Sequence, residues 1–135
     1  SRSSAASDVY KRQEEMRYQS AEIQGKIIRE ELAAKRDCLA KEEDVFFMDI
    51  PLLFENDYQD WFDQIWLVAV SPQVQCQRLM KRNHLSAEEA GMRIASQMPL
   101  AEKLPYASLV IDNNGNIDDL KKKVKGAIKD LANLV

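Results

Sequence analysis

Two cysteines and one histidine are all that the chain offers as soft metal ligands. Cys38 and Cys76 fall in separate helical patterns, no CxxC pair occurs and His84 stands alone, so no zinc or other metal site is expected. The same scarcity fits two thiols of a cytosolic protein, not a disulfide framework. Long apolar runs are missing as well. None approaches the roughly 20 residues that a membrane helix needs. The first residues are small and polar, without the apolar segment of a secretory signal. Positive charge is not in excess: the formal net charge is −3 and the pI about 5.2. That argues against bulk binding to nucleic acid or an anionic membrane, and leaves room for a local basic site for a phosphorylated small molecule. No internal repeat and no low-complexity tract is present. What remains is an ordinary globular balance, 45% hydrophobic and 30% charged over 135 residues, enough for one domain.

Residues 1–13 have no period and no apolar face, and read as a non-native or disordered leader outside the fold. Residues 14–135 read as the domain. From about Glu14 to Lys41 the composition is helical, with Ile23, Ile27, Leu32 and Leu39 as an irregular apolar stripe and Gly25 as a possible division into two helices. Three apolar runs predict strands: Val45–Met48, Ile65–Val70 and Ser108–Asp112. Their continuous apolar character predicts a parallel sheet covered on both faces. Ser71-Pro72 opens a helix to about Arg82. Ser86 and Glu89 form a capping box before a helix from Ala87 to about Gln97. Pro99–Leu104 adds a turn or two. Asn113-Asn114-Gly115 predicts a turn, with Gly115 supplying a positive φ. A last helix spans Ile117–Leu134, apolar at Ile117, Leu120, Val124, Ile128 and Leu131, with lysines on a solvated face. Strands alternating with helices imply a doubly wound α/β sheet.

Several residues carry chemistry in this frame. Asp49 ends an apolar run beside Pro51, where a sheet delivers a carboxylate to a ligand or caps the following turn. Arg78 and Arg82 share a helix face at a spacing of four. Arg93 lies on the next helix, with Gln97 one turn further. Planar guanidinium groups bind phosphate oxygens and neutralise charge that develops during phosphoryl transfer. Arginines on amphipathic helices also occur simply as surface residues. His84, in a short connection, reads as a surface residue. Asp112–Gly115, with Asn113, lies at the carboxyl end of a strand, where such sheets place ligands.

In order and spacing these pieces resemble the dephospho-CoA kinase family of P-loop kinases. The matching elements are Asp49-Ile-Pro-Leu-Leu-Phe-Glu55, Ile65–Val70 with Ser71-Pro72 and Gln75, Gln77-Arg78-Leu79, Lys81-Arg82, Leu85 to Ala90, Arg93-Ile94, Gln97 and Val110-Ile-Asp-Asn-Asn-Gly115. The likeness covers about residues 26–130. Gly25-Lys26 stands where the family has His-Pro before an Ile-Arg pair. The resemblance implies ATP-dependent phosphorylation of the ribose 3′-hydroxyl of dephospho-CoA, with Mg2+ accompanying ATP and a cytoplasmic location. It implies a helical lid over about residues 72–104, with Arg93 and Arg82 as catalytic residues. It implies Asp49, Arg78, Gln97 and Asn113 as substrate- or nucleotide-binding residues. The family's phosphate loop has the form G-x-x-x-x-G-K-S/T, and none of the four glycines belongs to one. The expectation is therefore a carboxyl-terminal part of the enzyme, an incomplete parallel sheet with a lid, inactive alone. Two other readings are another small-metabolite or nucleotide kinase, and a non-catalytic remnant that binds a partner through an exposed sheet edge or Tyr58–Trp66. Oligomeric state is left open.

Overall fold

A computed structural model describes residues 2–134. It divides into two units, residues 1–49 and 50–135.

The first unit is dominated by one helix, α1 (Arg2–Glu42). It begins inside the segment expected to be a leader (Ser1 lies outside the described residues), because nothing from Arg2 to Gln24 is proline or glycine and the composition favours helix. Gly25 does not divide it. A glycine in an exposed helix costs only about 1 kcal/mol relative to alanine, which the flanking turns absorb. Ile23, Ile27 and Ile28 are exposed, while Leu32 and Leu39 are half-buried. The surface is laced with short-range charge pairs, Lys26–Glu30 at 4.0 Å and Arg36–Asp37 at 2.9 Å.

Val45–Met48 is not a strand. Its apolar pattern is right, but a strand exists only beside a partner about 4.8 Å away, and the sheet among the described residues has two members only. Asp49 accordingly ends no strand. It is exposed.

The second unit carries that sheet. Residues 51–57 form successive hydrogen-bonded turns, Asn56 N–H to the Leu52 carbonyl at 3.1 Å and Tyr58 N–H to the Leu53 carbonyl at 2.9 Å. Leu52 and Asp57 hold positive φ there, a strain that the surrounding turns must overdetermine. Strand β1 (Trp66–Ala69) runs parallel to β2 (Leu109–Asp112), with Trp66 beside Leu109 and Ala69 beside Asp112. Both are shorter than the apolar runs that predict them. Parallel pairing across 43 residues needs a crossover, supplied by α2 (Pro72–Asn83), α3 (Ala87–Ala95), α4 (Leu100–Lys103) and a short 3-10 turn at Leu104–Tyr106.

The helix signals hold in place, with two differences of detail. Ser71 accepts from Val74 N–H and Pro72 stands at the first turn of α2. Ser86 accepts from Glu89 N–H at 3.1 Å, but the Glu89 carboxylate accepts from the Ser86 hydroxyl at 3.0 Å and not from its backbone N–H. His84, read as a surface residue, is the left-handed cap of α2 at φ 53°, its N–H donated to the Met80 carbonyl. Helix α3 ends at Ala95, before Gln97. Helix α5 (Ile117–Leu134) follows β2 and packs on it. Leu120, Val124 and Leu131 are half-buried, whereas Ile117 and Ile128 of the same apolar stripe stay exposed. Phe54, Tyr58, Ala90 and Ile111 are the buried hydrophobic residues. Phe54 meets Tyr106 with centroids 5.8 Å apart, and Tyr58 meets Trp61 edge-on at 4.7 Å.

Candidate functional site

The carboxyl ends of β1 and β2 and the facing sides of α2 and α3 enclose a cleft of about 880 Å3. Its floor is apolar, from Val68, Val70, Leu79 and Ile94, and its polar rim is Gln75, Arg78, Lys81, Arg82, Arg93, Gln97 and Asn113. Four of those rim residues are cations and none is a carboxylate. Helical spacing explains the concentration: Arg78, Lys81 and Arg82 lie three and four apart and so fall on one side of α2. Arg93 and Gln97 come from α3 and the turn after it. A concave, mostly apolar site with convergent cations suits a phosphorylated metabolite with an organic body.

The sequence expectations therefore converge in part. Arg78, Arg82, Arg93, Gln97 and Asn113 are brought to one cleft. Asp49 belongs to the other unit. Gln75 and Lys81 line the cleft as well; each was legible only as a flank of the matching motifs.

The rim residues differ in what already holds them. Arg93 has no hydrogen bond or ion pair through its guanidinium among the described residues, so its charge is available to a ligand. Arg82 donates from Nε to its neighbour Asn83 at 2.9 Å, leaving the terminal nitrogens of the fork for other partners. Arg78 is committed: Nη1 donates to the Asn113 carbonyl at 2.6 Å and Nη2 to the Gly115 carbonyl at 2.8 Å.

The turn after β2 is correspondingly rigid. Asn113 N–H extends the ladder to the Ala69 carbonyl at 2.8 Å. Asp112 accepts from the Asn114 backbone at 2.7 Å and from its side-chain amide at 2.8 Å. The side-chain Oδ1 of Asn114 accepts from Ser71 N–H at 2.8 Å, joining the turn to the start of α2. Chiefly that backbone N–H of Asn114 holds the Asp112 carboxyl below its ordinary value; desolvation, next in size, opposes it, and the Asn114 side-chain amide and the Lys123 charge add to the lowering. Lys123, expected on a solvated face, donates to the Asp112 carbonyl at 3.0 Å. Gly115 does not adopt the positive φ that the turn predicts. A Cβ there would lie 2.7 Å from an Asp119 carboxylate oxygen, so a side chain at this position would push that carboxylate aside.

No cluster of three or more His, Cys, Asp or Glu that could hold a metal occurs among the described residues. The donor set of the cleft fits phosphate oxygens and not a magnesium ion. No helix is long and apolar enough to cross a membrane among the described residues.

A family model of dephospho-CoA kinase matches residues 1–119. The chain belongs to the dephospho-CoA kinase family. It is 99% identical over 122 residues to a dephospho-CoA kinase of Streptococcus thermophilus, covering 90% of this chain and 62% of that protein. It is 62% identical over 114 residues to a dephospho-CoA kinase of Streptococcus pyogenes, covering 84% and 58%. The solved dephospho-CoA kinase of Campylobacter jejuni superposes with a TM-score of 0.58 at 29% identity, over 79% of this chain and 53% of that one. The chain thus spans about three-fifths of the length of the curated relatives it matches.

Proposed function

We propose that this chain forms the lid and nucleotide side of a dephospho-CoA kinase, which transfers the γ-phosphoryl group of ATP to the ribose 3′-hydroxyl of dephospho-CoA. The observation that carries the reading is the cleft in which Arg82 and Arg93 face an apolar floor with no carboxylate beside them. Phosphoryl transfer asks little covalent chemistry of a protein. It asks for positioning, and for positive charge where the equatorial oxygens gain negative charge. Arg93, unengaged among the described residues, is the residue proposed to meet that charge, with Arg82 beside it. Gln97 and Asn113 line the nucleotide's side of the cleft, together with Arg78. Asp49 is proposed to meet substrate in the assembled enzyme.

ATP and dephospho-CoA are both substrates, and Mg2+ would arrive on the ATP phosphates, as part of that substrate. The lid is proposed to comprise residues 72–104, within a kinase domain of residues 14–135, and the enzyme to work in the cytoplasm. These 135 residues contain no G-x-x-x-x-G-K-S/T loop, so the backbone amides and lysine that cradle phosphates in P-loop kinases would have to come from outside them. The chain by itself is therefore expected to be inactive. Mass spectrometry of dephospho-CoA incubated with ATP tests this. The full-length Streptococcus thermophilus relative should add one phosphate at the 3′-hydroxyl, and the 135-residue chain should add none. A relative that leaves dephospho-CoA unmodified would refute the reading.

A further inference from the structure

Arg78 is expected among the substrate- or nucleotide-binding residues, yet both terminal nitrogens of its guanidinium already donate to protein carbonyls. Two of its nitrogens reach carbonyls two residues apart, those of Asn113 and Gly115, at 2.6 and 2.8 Å. Both bonds span more than 30 residues of sequence, from α2 to the turn after β2. We infer that Arg78 is a positioning residue: it ties the Gly115 end of the 113–115 turn to α2, and so fixes the carbonyl side of the turn that carries Asn113 at the rim of the cleft, in place of acting as a charge on phosphate.

Three observations support this. The first is the fork geometry. A planar guanidinium spans two acceptors at once, which a lysine ammonium on a flexible stem does not reproduce. The second is redundancy at one end only. The 112–114 side of the turn is held by the β ladder, by Asp112 and by the amide of Ser71, whereas the Gly115 carbonyl has Arg78 as its hydrogen-bond donor among the described contacts. The third is position. Asn113 lines the cleft along with Arg82 and Arg93, so a shift of the turn changes what the ligand meets. Charge-assisted bonds of this length are among the stronger ones, and the pair of them fixes the plane of the guanidinium against the turn.

The inference rests on the kinase reading for its functional half and on geometry alone for its structural half, so two measurements separate them. On the full-length Streptococcus thermophilus relative, amide hydrogen exchange by NMR compares wild type with Arg78→Lys and Arg78→Ala at the matching position. Both variants should speed exchange of the Asn114 amide, whose acceptor is the Asp112 carboxylate within the same turn, by about tenfold or more, the factor for loss of roughly 1.4 kcal/mol of local protection, while the ladder amide of Asn113 and amides in the middle of α5 keep their rates. Unchanged exchange of the Asn114 amide would overturn the tie. In the full-length Streptococcus thermophilus relative, the same two substitutions at the matching position should raise KM for ATP by about tenfold with kcat within about threefold. Lysine should rescue neither readout. Rescue of KM by lysine would mean that Arg78 acts as a charge on phosphate, and would overturn the inference. Faster exchange with KM unchanged would overturn its functional half. An unsubstituted relative without ATP-dependent activity would overturn the kinase reading, and the KM claim with it.

Discussion

The ammonium of Lys103 stands 3.3 Å from both carboxylate oxygens of Glu55, across 48 residues of sequence. The approach to Oε2 has hydrogen-bond geometry and that to Oε1 is ionic only. Glu55 Oε2 also accepts from Met98 N–H at 3.4 Å, and the ammonium lies 5.9 Å from the centre of the Phe54 ring. Glu55 therefore ties the turns at 51–57 to the end of α4 through Lys103 and to the link before α4 through Met98, next to the buried Phe54. Its side chains are 16% and 19% exposed.

Lys103→Met removes one partner and leaves a half-desolvated carboxylate. A fully buried pair broken in this way costs about 3–5 kcal/mol, and partial solvation here lowers that to roughly 1–3 kcal/mol. Urea unfolding should show a lower midpoint with an unchanged slope. An unmoved midpoint would mean that the pair contributes no net stability despite its burial.

Ser86 starts the helix that carries Arg93. Replacing it by alanine removes the acceptor for Glu89 N–H and should destabilise the chain by about 1 kcal/mol, whereas aspartate, another good cap, should cost little. Chemical denaturation of the two variants checks this; equal losses would deny the cap its role.

Asp112 gives a pH dependence with a definite sign. Its carboxyl is held below the ordinary 3.8, chiefly by the Asn114 backbone N–H. A carboxyl more acidic in the folded state stabilises the fold fully above its unfolded value, and that contribution is lost as pH falls through the lower folded value. Asp112→Asn should therefore be less stable than wild type near neutral pH, and the gap should narrow below pH 3.8. A gap constant with pH, or a carboxyl carbon that titrates at or above the ordinary value, would contradict this.

Legibility followed the range of the interactions. Local signals held where the deciding contact lies within one turn: Ser71 with Pro72 starts α2 and Ser86 starts α3. The resemblance brought Arg82, Arg93, Gln97 and Asn113 forward, and the fold gathers them in one cleft. Failures came where a distant partner decides. Val45–Met48 has the pattern of a strand but no ladder to join. The two carbonyls that Arg78 binds, 35 and 37 residues away, were equally out of reach of the local pattern. Glu55 and Lys103 carry no local mark of each other. His84 closes α2 in a left-handed conformation that glycine or asparagine would have announced.

The open edge of β1 gives a further test. Its ladder partner among the described residues is β2 alone, and Val68 is 53% exposed. Free backbone groups beside exposed apolar side chains recruit other chains. Size-exclusion chromatography of the 135-residue chain should show oligomers or poor recovery. A monomer with one cooperative thermal transition would mean that the edge is closed in solution.

The central claim is that the basic rim of the cleft serves the transferring phosphoryl group, and Arg93 tests it most directly. The measurement is steady-state kinetics of Arg93→Ala, at the matching position of the full-length Streptococcus thermophilus relative, with ATP and dephospho-CoA varied in turn. A contact made to charge that forms only in the transition state costs on the order of 10²-fold in kcat, with KM for dephospho-CoA nearly unchanged. That result is the one predicted. Turnover equal to the unsubstituted enzyme would contradict it and return Arg93 to the surface of α3.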